Sequence, residues 1–188
     1  AGITSFKDLL KEDINEKERE QIEFELEKKE DKIEKKRLKE FLDTLTYPLY
    51  FLDFETYQQT IPLYDGISPY QQIPFQYSLH FYEEKGGELK HREFLAEPGI
   101  DPRKSLAESL VKDIPKDVCV LAYNMGFEKS VIERLARTYP ELSDHLLNIK
   151  GNIKDLMIPF RSREYYTRDM QGKYSIKYVL PALFPTDP

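Results

Sequence analysis

The stretch at residues 47–57, Tyr-Pro-Leu-Tyr-Phe-Leu-Asp-Phe-Glu-Thr-Tyr, constrains the fold of this chain more than any other. Proline is tolerated where a strand begins but not inside one, so Pro48 marks the start of a strand. The residues that follow are almost all apolar or aromatic, which is typical of a central strand covered on both faces. The sequence therefore predicts a central β-strand at this position.

Two acids, Asp53 and Glu55, interrupt this apolar run. Because side chains alternate along a strand, both acids lie on one face, and Leu52 and Phe54 lie on the other. On a buried strand the two carboxylates lose hydration and repel each other unless a cation lies between them. A hard divalent cation such as Mg²⁺ prefers carboxylate oxygen and would satisfy both acids. The alternative is an exposed strand end with solvated acids, which is the commoner meaning of an isolated Asp-x-Glu.

A second informative stretch begins with the apolar run at residues 118–123, which predicts another core strand. Asn124 and Gly126 predict a turn after it, and a helix follows. Glu128 falls in the first turn of that helix, where the helix dipole favours a carboxylate. If the two strands are neighbours, Glu128 points towards the acids of the first strand. A routine acidic helix start is the alternative interpretation.

The remaining core elements complete an α/β pattern. Residues 75–82 and 89–95 predict strands on either side of a turn at residues 86–87, which forms an antiparallel hairpin beside the first strand. Residues 103–113 have the apolar spacing of a helix. Residues 58–74 predict a loop at the carboxyl end of the first strand, where open α/β sheets bind ligands. We expect a mixed sheet flanked by helices.

The N-terminal segment at residues 11–43 carries 13 acids and 10 bases and contains no proline or glycine. Its later apolar residues recur every three or four positions, as on a helix face. We therefore expect one long charged helix whose final turns dock on the domain. This divides the chain into a charged helical arm at residues 1–43 and a domain at residues 44–188. A partner-binding coiled coil is a weaker alternative because no heptad pattern is sustained.

The C-terminal segment at residues 153–178 is locally basic, with six bases and three acids in a chain of net charge −6. Tyrosines alternate with these bases, and basic groups combined with stacking aromatic rings suit a single-stranded nucleic acid. An ordinary mixed surface is the alternative. The residues expected to contact a nucleic-acid strand are Arg168, Lys173, Tyr174 and Lys177.

The composition argues against a disulfide-linked, membrane-spanning or secreted protein and against a histidine metal site. The one cysteine, Cys119, lies in an apolar run and is expected to be a core residue in a reducing compartment. No apolar run approaches the ~20 residues of a membrane span, and the N-terminus has no signal-peptide pattern. The three histidines, His80, His91 and His145, have no metal-ligand spacing. We expect a cytoplasmic protein with no membrane partner.

The motifs together resemble a known superfamily. Asp53-Phe54-Glu55 resembles the first motif of DEDD-type 3′→5′ exonucleases, which have a ribonuclease H-like fold, and Asn124 with Phe127-Glu128 is similar to their second motif. The segment at residues 174–177, Tyr-Ser-Ile-Lys, resembles the Ser-Leu-Lys segment found between their second and third motifs. Over roughly residues 40–188 the chain also resembles the bacterial family called domain of unknown function 2779.

The resemblance implies a metal-dependent 3′→5′ exonuclease that hydrolyses single-stranded DNA or RNA with two Mg²⁺ or Mn²⁺ ions. Asp53 would bridge both ions, and Glu55 would hold the ion that carries the nucleophile. Glu128 would support the second ion through water, and Asn124 would fix the turn that aims Glu128. Lys177 and the nearby arginines would contact phosphates.

The chain departs from the superfamily pattern in two ways. Glu128 replaces the usual aspartate of the second motif, and the third motif, a Tyr or His four residues before an Asp, is not evident. Asp155 follows the second motif too closely and resembles a non-ligand position, and Asp169 is a poor match. We therefore expect a fragment of a larger chain that ends before the third motif. The alternatives are an inactive nucleic-acid-binding module with the same fold and a partner-interaction domain that uses the N-terminal helix.

Overall fold

The computed structural model describes residues 3–186, which form two compact units. The sheet unit is Leu45–Leu156, and the terminal unit is made of the described residues on either side of it. The last 30 described residues, which the sequence assigns to the same domain as the sheet, thus belong to the terminal unit.

Within the described range, the strands are β1 (Lys32–Ile33), β2 (Leu49–Tyr57), β3 (Ile73–Tyr82), β4 (Lys90–Leu95), β5 (Cys119–Ala122), β6 (Ile153–Asp155) and β7 (Tyr165–Tyr166). The α-helices are α1 (Phe6–Leu9), α2 (Glu16–Glu27), α3 (Lys35–Leu42), α4 (Arg103–Asp113), α5 (Gly126–Thr138), α6 (Ser143–Asn152), α7 (Ile158–Arg161) and α8 (Ile176–Leu183). Short 3₁₀ helices lie at Pro140–Leu142 and Arg168–Met170.

The sheet unit contains a mixed sheet whose described strands follow the order β4-β3-β2-β5-β6. The strand β2 is central, antiparallel to β3 and parallel to β5, and β6 continues the parallel side. The hairpin of β3 and β4 is antiparallel. The predicted central strand, the predicted hairpin and the mixed sheet flanked by helices are therefore confirmed.

The core of the sheet unit lies on one face of β2. Tyr50, Leu52 and Phe54 point into a cluster formed with apolar residues of α4, α5 and α6. On the opposite face Asp53 and Glu55 are exposed. The prediction that β2 is covered on both faces is therefore wrong for its carboxyl half, because the two acids keep their contact with solvent.

The N-terminal segment is not one long helix, so that prediction is wrong. The helix α2 begins with a capping box between Asn15 and Glu18 and ends at Lys28, whose φ of +51° lies in the left-handed region. The chain then forms β1, which pairs antiparallel with β7. Glu20 fixes this arrangement, since its carboxylate forms ion pairs with Lys32 at 2.6 Å and Arg163 at 2.8 Å. Pairing with distant residues thus overrides local helix propensity.

The apolar contacts of the terminal unit also differ from those expected. Phe24 of α2 is buried against Tyr166, with ring centroids 4.9 Å apart in an edge-on arrangement. The helix α3, whose final turns were expected to dock, has no buried residue within the described chain. Ser175 stands at the N-cap of α8. Among residues 3–186, no helix has the length and apolar character needed to cross a membrane.

Candidate metal centre

The first part of the candidate site is the carboxyl end of β2. Asp53 lies opposite Ser78 of β3, and Glu55 lies opposite Gln76, two residue pairs nearer the end of the strand. Both acids are solvent-exposed on the face of β2 opposite the core of the sheet unit. Their location at the carboxyl end of a central strand is where open α/β sheets bind ligands.

The second part is the turn between β5 and α5. Asn124 has a φ of +67°, which is a left-handed conformation that Asn tolerates better than most residues with a side chain. The backbone N–H of Phe127 donates to the carbonyl of Asn124 at 3.3 Å, and α5 begins at Gly126. The predicted turn is confirmed, and it places Glu128 in the first helical turn.

A fourth acid, Asp155, lies at this edge of the sheet. It is the last residue of β6 and lies opposite Ala122, the last residue of β5. Its side chain is buried, and its Oδ1 accepts a hydrogen bond from the backbone N–H of Asn124 at 2.9 Å. Burial and the Asp155 charge together raise the pKa of Tyr123 to about 12.

Asp155 accepts the hydrogen bond that fixes the turn at Asn124, a role that the sequence did not predict, and its assignment to a non-ligand position stays a prediction. The available signal was its place at the end of a parallel strand next to β5, since the carboxyl ends of parallel strands meet at one edge of a sheet.

Glu128 is the most constrained acid of the group. Its side chain is only 3% exposed, and its Oε2 has no hydrogen-bond partner among the described residues. The pKa of Glu128 is raised to about 7, mainly because burial penalises the charged carboxylate and to a smaller extent because the charges of Asp53 and Asp155 oppose its ionisation. A hydrogen bond from its own backbone lowers the pKa by a smaller amount. The structure therefore brings Glu128 within electrostatic reach of Asp53, as the sequence predicts.

The ligand set that these acids offer is limited. Within the described part of the chain, no three or more His, Cys, Asp or Glu side chains are grouped closely enough to hold a metal ion. Mg²⁺ needs fewer protein ligands, because it keeps several waters and is held by one or two carboxylates together with substrate phosphates. A buried carboxyl oxygen without a partner, within electrostatic reach of Asp53, matches that requirement.

The residues expected to contact nucleic acid lie in the terminal unit. Arg168 is exposed in the 3₁₀ helix, Tyr174 is exposed before α8, and Lys177 is exposed on α8. Lys173 donates a hydrogen bond from Nζ to the hydroxyl of Tyr178 at 2.7 Å and lies over the ring of that tyrosine. All four side chains are exposed and belong to the terminal unit.

Comparison with known proteins gives one result on family. A model of the family described as Domain of unknown function (DUF2779) matches residues 50–175, which is more than half of the chain. The match contains the acids of β2, the turn at Asn124, Glu128 and Asp155. No curated protein and no solved structure matches the chain. The chain therefore belongs to the family Domain of unknown function (DUF2779).

Proposed function

We propose that this protein is a metal-dependent phosphodiesterase of the ribonuclease H-like, DEDD 3′→5′ exonuclease type, acting on single-stranded nucleic acid. The observation that carries the proposal is the Glu128 carboxyl, which is buried, raised in pKa to about 7 and lacks a partner for Oε2 within residues 3–186. A buried carboxyl without a partner costs stability, and such costs are concentrated at functional sites.

The architecture around Glu128 supports the same proposal. The central strand β2 carries Asp53 and Glu55 at its carboxyl end, and the parallel strand β5 leads directly into the turn before Glu128. Acids from two separate segments of the chain therefore meet at one edge of a mixed sheet. This is the arrangement that the motif resemblance implies.

The residues present fit a hard divalent cation. Asp53, with either Glu55 or Glu128, would hold Mg²⁺ or Mn²⁺ as one of a pair of carboxylates, because no three acids among the described residues are close enough to share an ion. Such an ion, when bound, polarises a phosphoryl oxygen and lowers the pKa of a coordinated water. Glu128 would have to release its proton before it serves as a ligand, because only the carboxylate coordinates. Asn124 and Asp155 position Glu128 by fixing the turn at the start of α5.

The substrate class follows from the basic and aromatic residues of the terminal unit. Arg168 and Lys177 provide cations for phosphates, and Tyr174 provides an exposed ring on which a base can stack. Single-stranded DNA or RNA satisfies both kinds of group.

A 5′-labelled single-stranded DNA and the RNA of the same sequence, incubated with the full chain and Mn²⁺, test the proposal. We expect a ladder of shortened products from wild-type protein, and no ladder from Asp53→Asn or Glu128→Gln. Glu93→Gln is the matched control. Glu93 is an exposed acid of β4 that lies opposite Ser78 of β3, on the same face of the sheet as Asp53. Equal ladders from wild type, Asp53→Asn and Glu128→Gln would contradict the proposal.

A binding module without chemistry is the second candidate, and one observation favours it. The described residues contain no group of three metal-ligating side chains, which a hydrolase with a complete ion site commonly has. Retention of the labelled strand on the protein without shortening, in the same experiment, would identify this candidate. The interaction-domain alternative stays a prediction, with the separate helices α2 and α3 in place of one N-terminal helix.

A further inference from the structure

A cavity of about 550 Å³ opens at the carboxyl end of β2, within the sheet unit. It lies between the loop that follows β2 and the loop that follows β4. Its size falls within the range of small-ligand sites. The aromatic rings in its wall belong to Tyr57, Tyr64 and Phe75, and the aliphatic groups include Leu63, Leu95 and Ile100.

Hydrogen bonds hold the two loops together around this cavity. The hydroxyl of Tyr64 donates to the carbonyl of Ile100 at 3.0 Å. Tyr57 is hydrogen-bonded to Tyr64, and burial together with this bond raises the pKa of Tyr57 to about 12. Buried Arg103 pairs with Asp101 at 2.6 Å and donates to the backbone carbonyl of Asp65 at 2.9 Å. The aromatic wall is therefore fixed in place without a ligand.

One polar group in the wall is left without a partner. Gln59 lines the cavity, and its Oε1 is buried with no hydrogen-bond partner in the described chain. A buried acceptor without a partner costs stability, and a ligand carrying an N–H donor would recover that cost. The wall as described contains the acid Glu97 and no lysine or arginine, so it disfavours a phosphate.

We propose that this cavity binds a nucleobase. A base is flat and uncharged and stacks on aromatic rings. It also carries an N–H group that would donate a hydrogen bond to Gln59 Oε1. The strand rises about 3.3 Å per residue, so Tyr57 lies about 7 Å beyond Glu55 along β2. The assignment rests on the proposed function. In that function the cavity binds a base of the same strand whose phosphate lies at the acids of β2.

Calorimetric titration of adenosine and of purine riboside into the intact chain, with EDTA present, tests the cavity without metal or strand. Purine riboside lacks the amino group that would donate to Gln59. We expect adenosine to bind roughly tenfold more tightly than purine riboside. Gln59→Leu should remove this preference, whereas Gln58→Leu, an exposed neighbour outside the cavity wall, should keep it.

A second set of substitutions tests whether the aromatic rings of the cavity wall bind the base. Tyr64→Leu should weaken adenosine binding roughly tenfold by removing a stacking ring. Tyr64→Phe keeps the ring and loses the bond to Ile100, so it should retain most of the binding. Tyr70→Leu is the matched control, because Tyr70 is an exposed tyrosine of the same loop outside the wall.

Three results would overturn the nucleobase assignment. The first is no adenosine binding at millimolar concentration, and the second is binding unchanged by Gln59→Leu and Tyr64→Leu. The third is tighter binding of N-acetyltyrosinamide, which would indicate a peptide ligand instead. Cleavage of single strands without adenosine binding would overturn the cavity assignment alone. Adenosine binding without cleavage would overturn the phosphodiesterase and leave the cavity assignment intact.

Discussion

The backbone N–H of Asn124 donates a hydrogen bond to Oδ1 of Asp155 at 2.9 Å, which joins the end of β6 to the turn that begins α5. Asn124 sits in that turn with a left-handed backbone, and Glu128 lies one helical turn beyond it. The position of the Glu128 carboxyl therefore depends on an acid in another strand.

Replacing Asp155 tests this dependence. Asp155→Leu removes the acceptor, and we expect a loss of about 1–3 kcal/mol in the free energy of unfolding because a buried hydrogen bond is broken. Asp155→Asn keeps an acceptor oxygen and should cost less. Urea unfolding measures both. Equal stability of the Leu variant and wild type would show that the bond does not hold the turn.

The raised pKa of Glu128 predicts a specific dependence of stability on pH in the absence of metal. Its folded pKa of about 7 exceeds its ordinary value of 4.5, so the folded state holds this proton more tightly than the unfolded state does. The resulting stabilisation is complete below about pH 4.5 and is lost as pH rises through 7, a decrease of roughly 3 kcal/mol. Urea unfolding in EDTA at several pH values measures it.

Glu128→Gln carries no titrating group at this position and should lack that decrease. The exposed acid Glu93 provides the control, since Glu93→Gln should keep the wild-type profile. Parallel profiles for wild type and Glu128→Gln between pH 4.5 and 8 would contradict the assignment.

The buried side chain of Phe24 is expected to stabilise the terminal unit. Its ring is 4% exposed and packs edge-on against Tyr166, so Phe24→Ala should cost about 3–5 kcal/mol. Leu26→Ala on the same helix, where the side chain is 39% exposed, should cost much less. Hydrogen exchange of the β1 and β7 amides measures the effect on this unit. Unchanged protection in Phe24→Ala would show that α2 does not stabilise the unit.

The sheet was predictable because its signals are local. Pro48 precedes β2, which begins at Leu49, and the apolar run around Cys119 gave a buried strand. The helix α6 was not predicted from the sequence, because only two of its residues, Leu146 and Ile149, are buried apolar residues. The N-terminal segment was predicted wrongly because its break depends on Glu20 reaching Arg163, 143 residues away, which local propensity does not reveal.

The candidate site was predictable only in part. The approach of Glu128 to Asp53 followed from two neighbouring parallel strands. The exposure of Asp53 and Glu55 was predicted only as the alternative, because the apolar residues around them are typical of a strand covered on both faces. The burial of Gln59 Oε1 without a partner could not be predicted either, because the loop that contains Gln59 has no periodic pattern.

The central claim is that Asp53 and Glu128 together hold a divalent cation, and thermal unfolding with Mg²⁺ or Mn²⁺ tests it most directly. At pH 8, where Glu128 is deprotonated, we expect either ion at a hundredfold excess over its dissociation constant to raise the Tm of the intact chain by roughly 5–10 °C. The rise should be smaller at pH 6 and absent in Asp53→Asn. An unchanged Tm with both ions at pH 8 would contradict the claim.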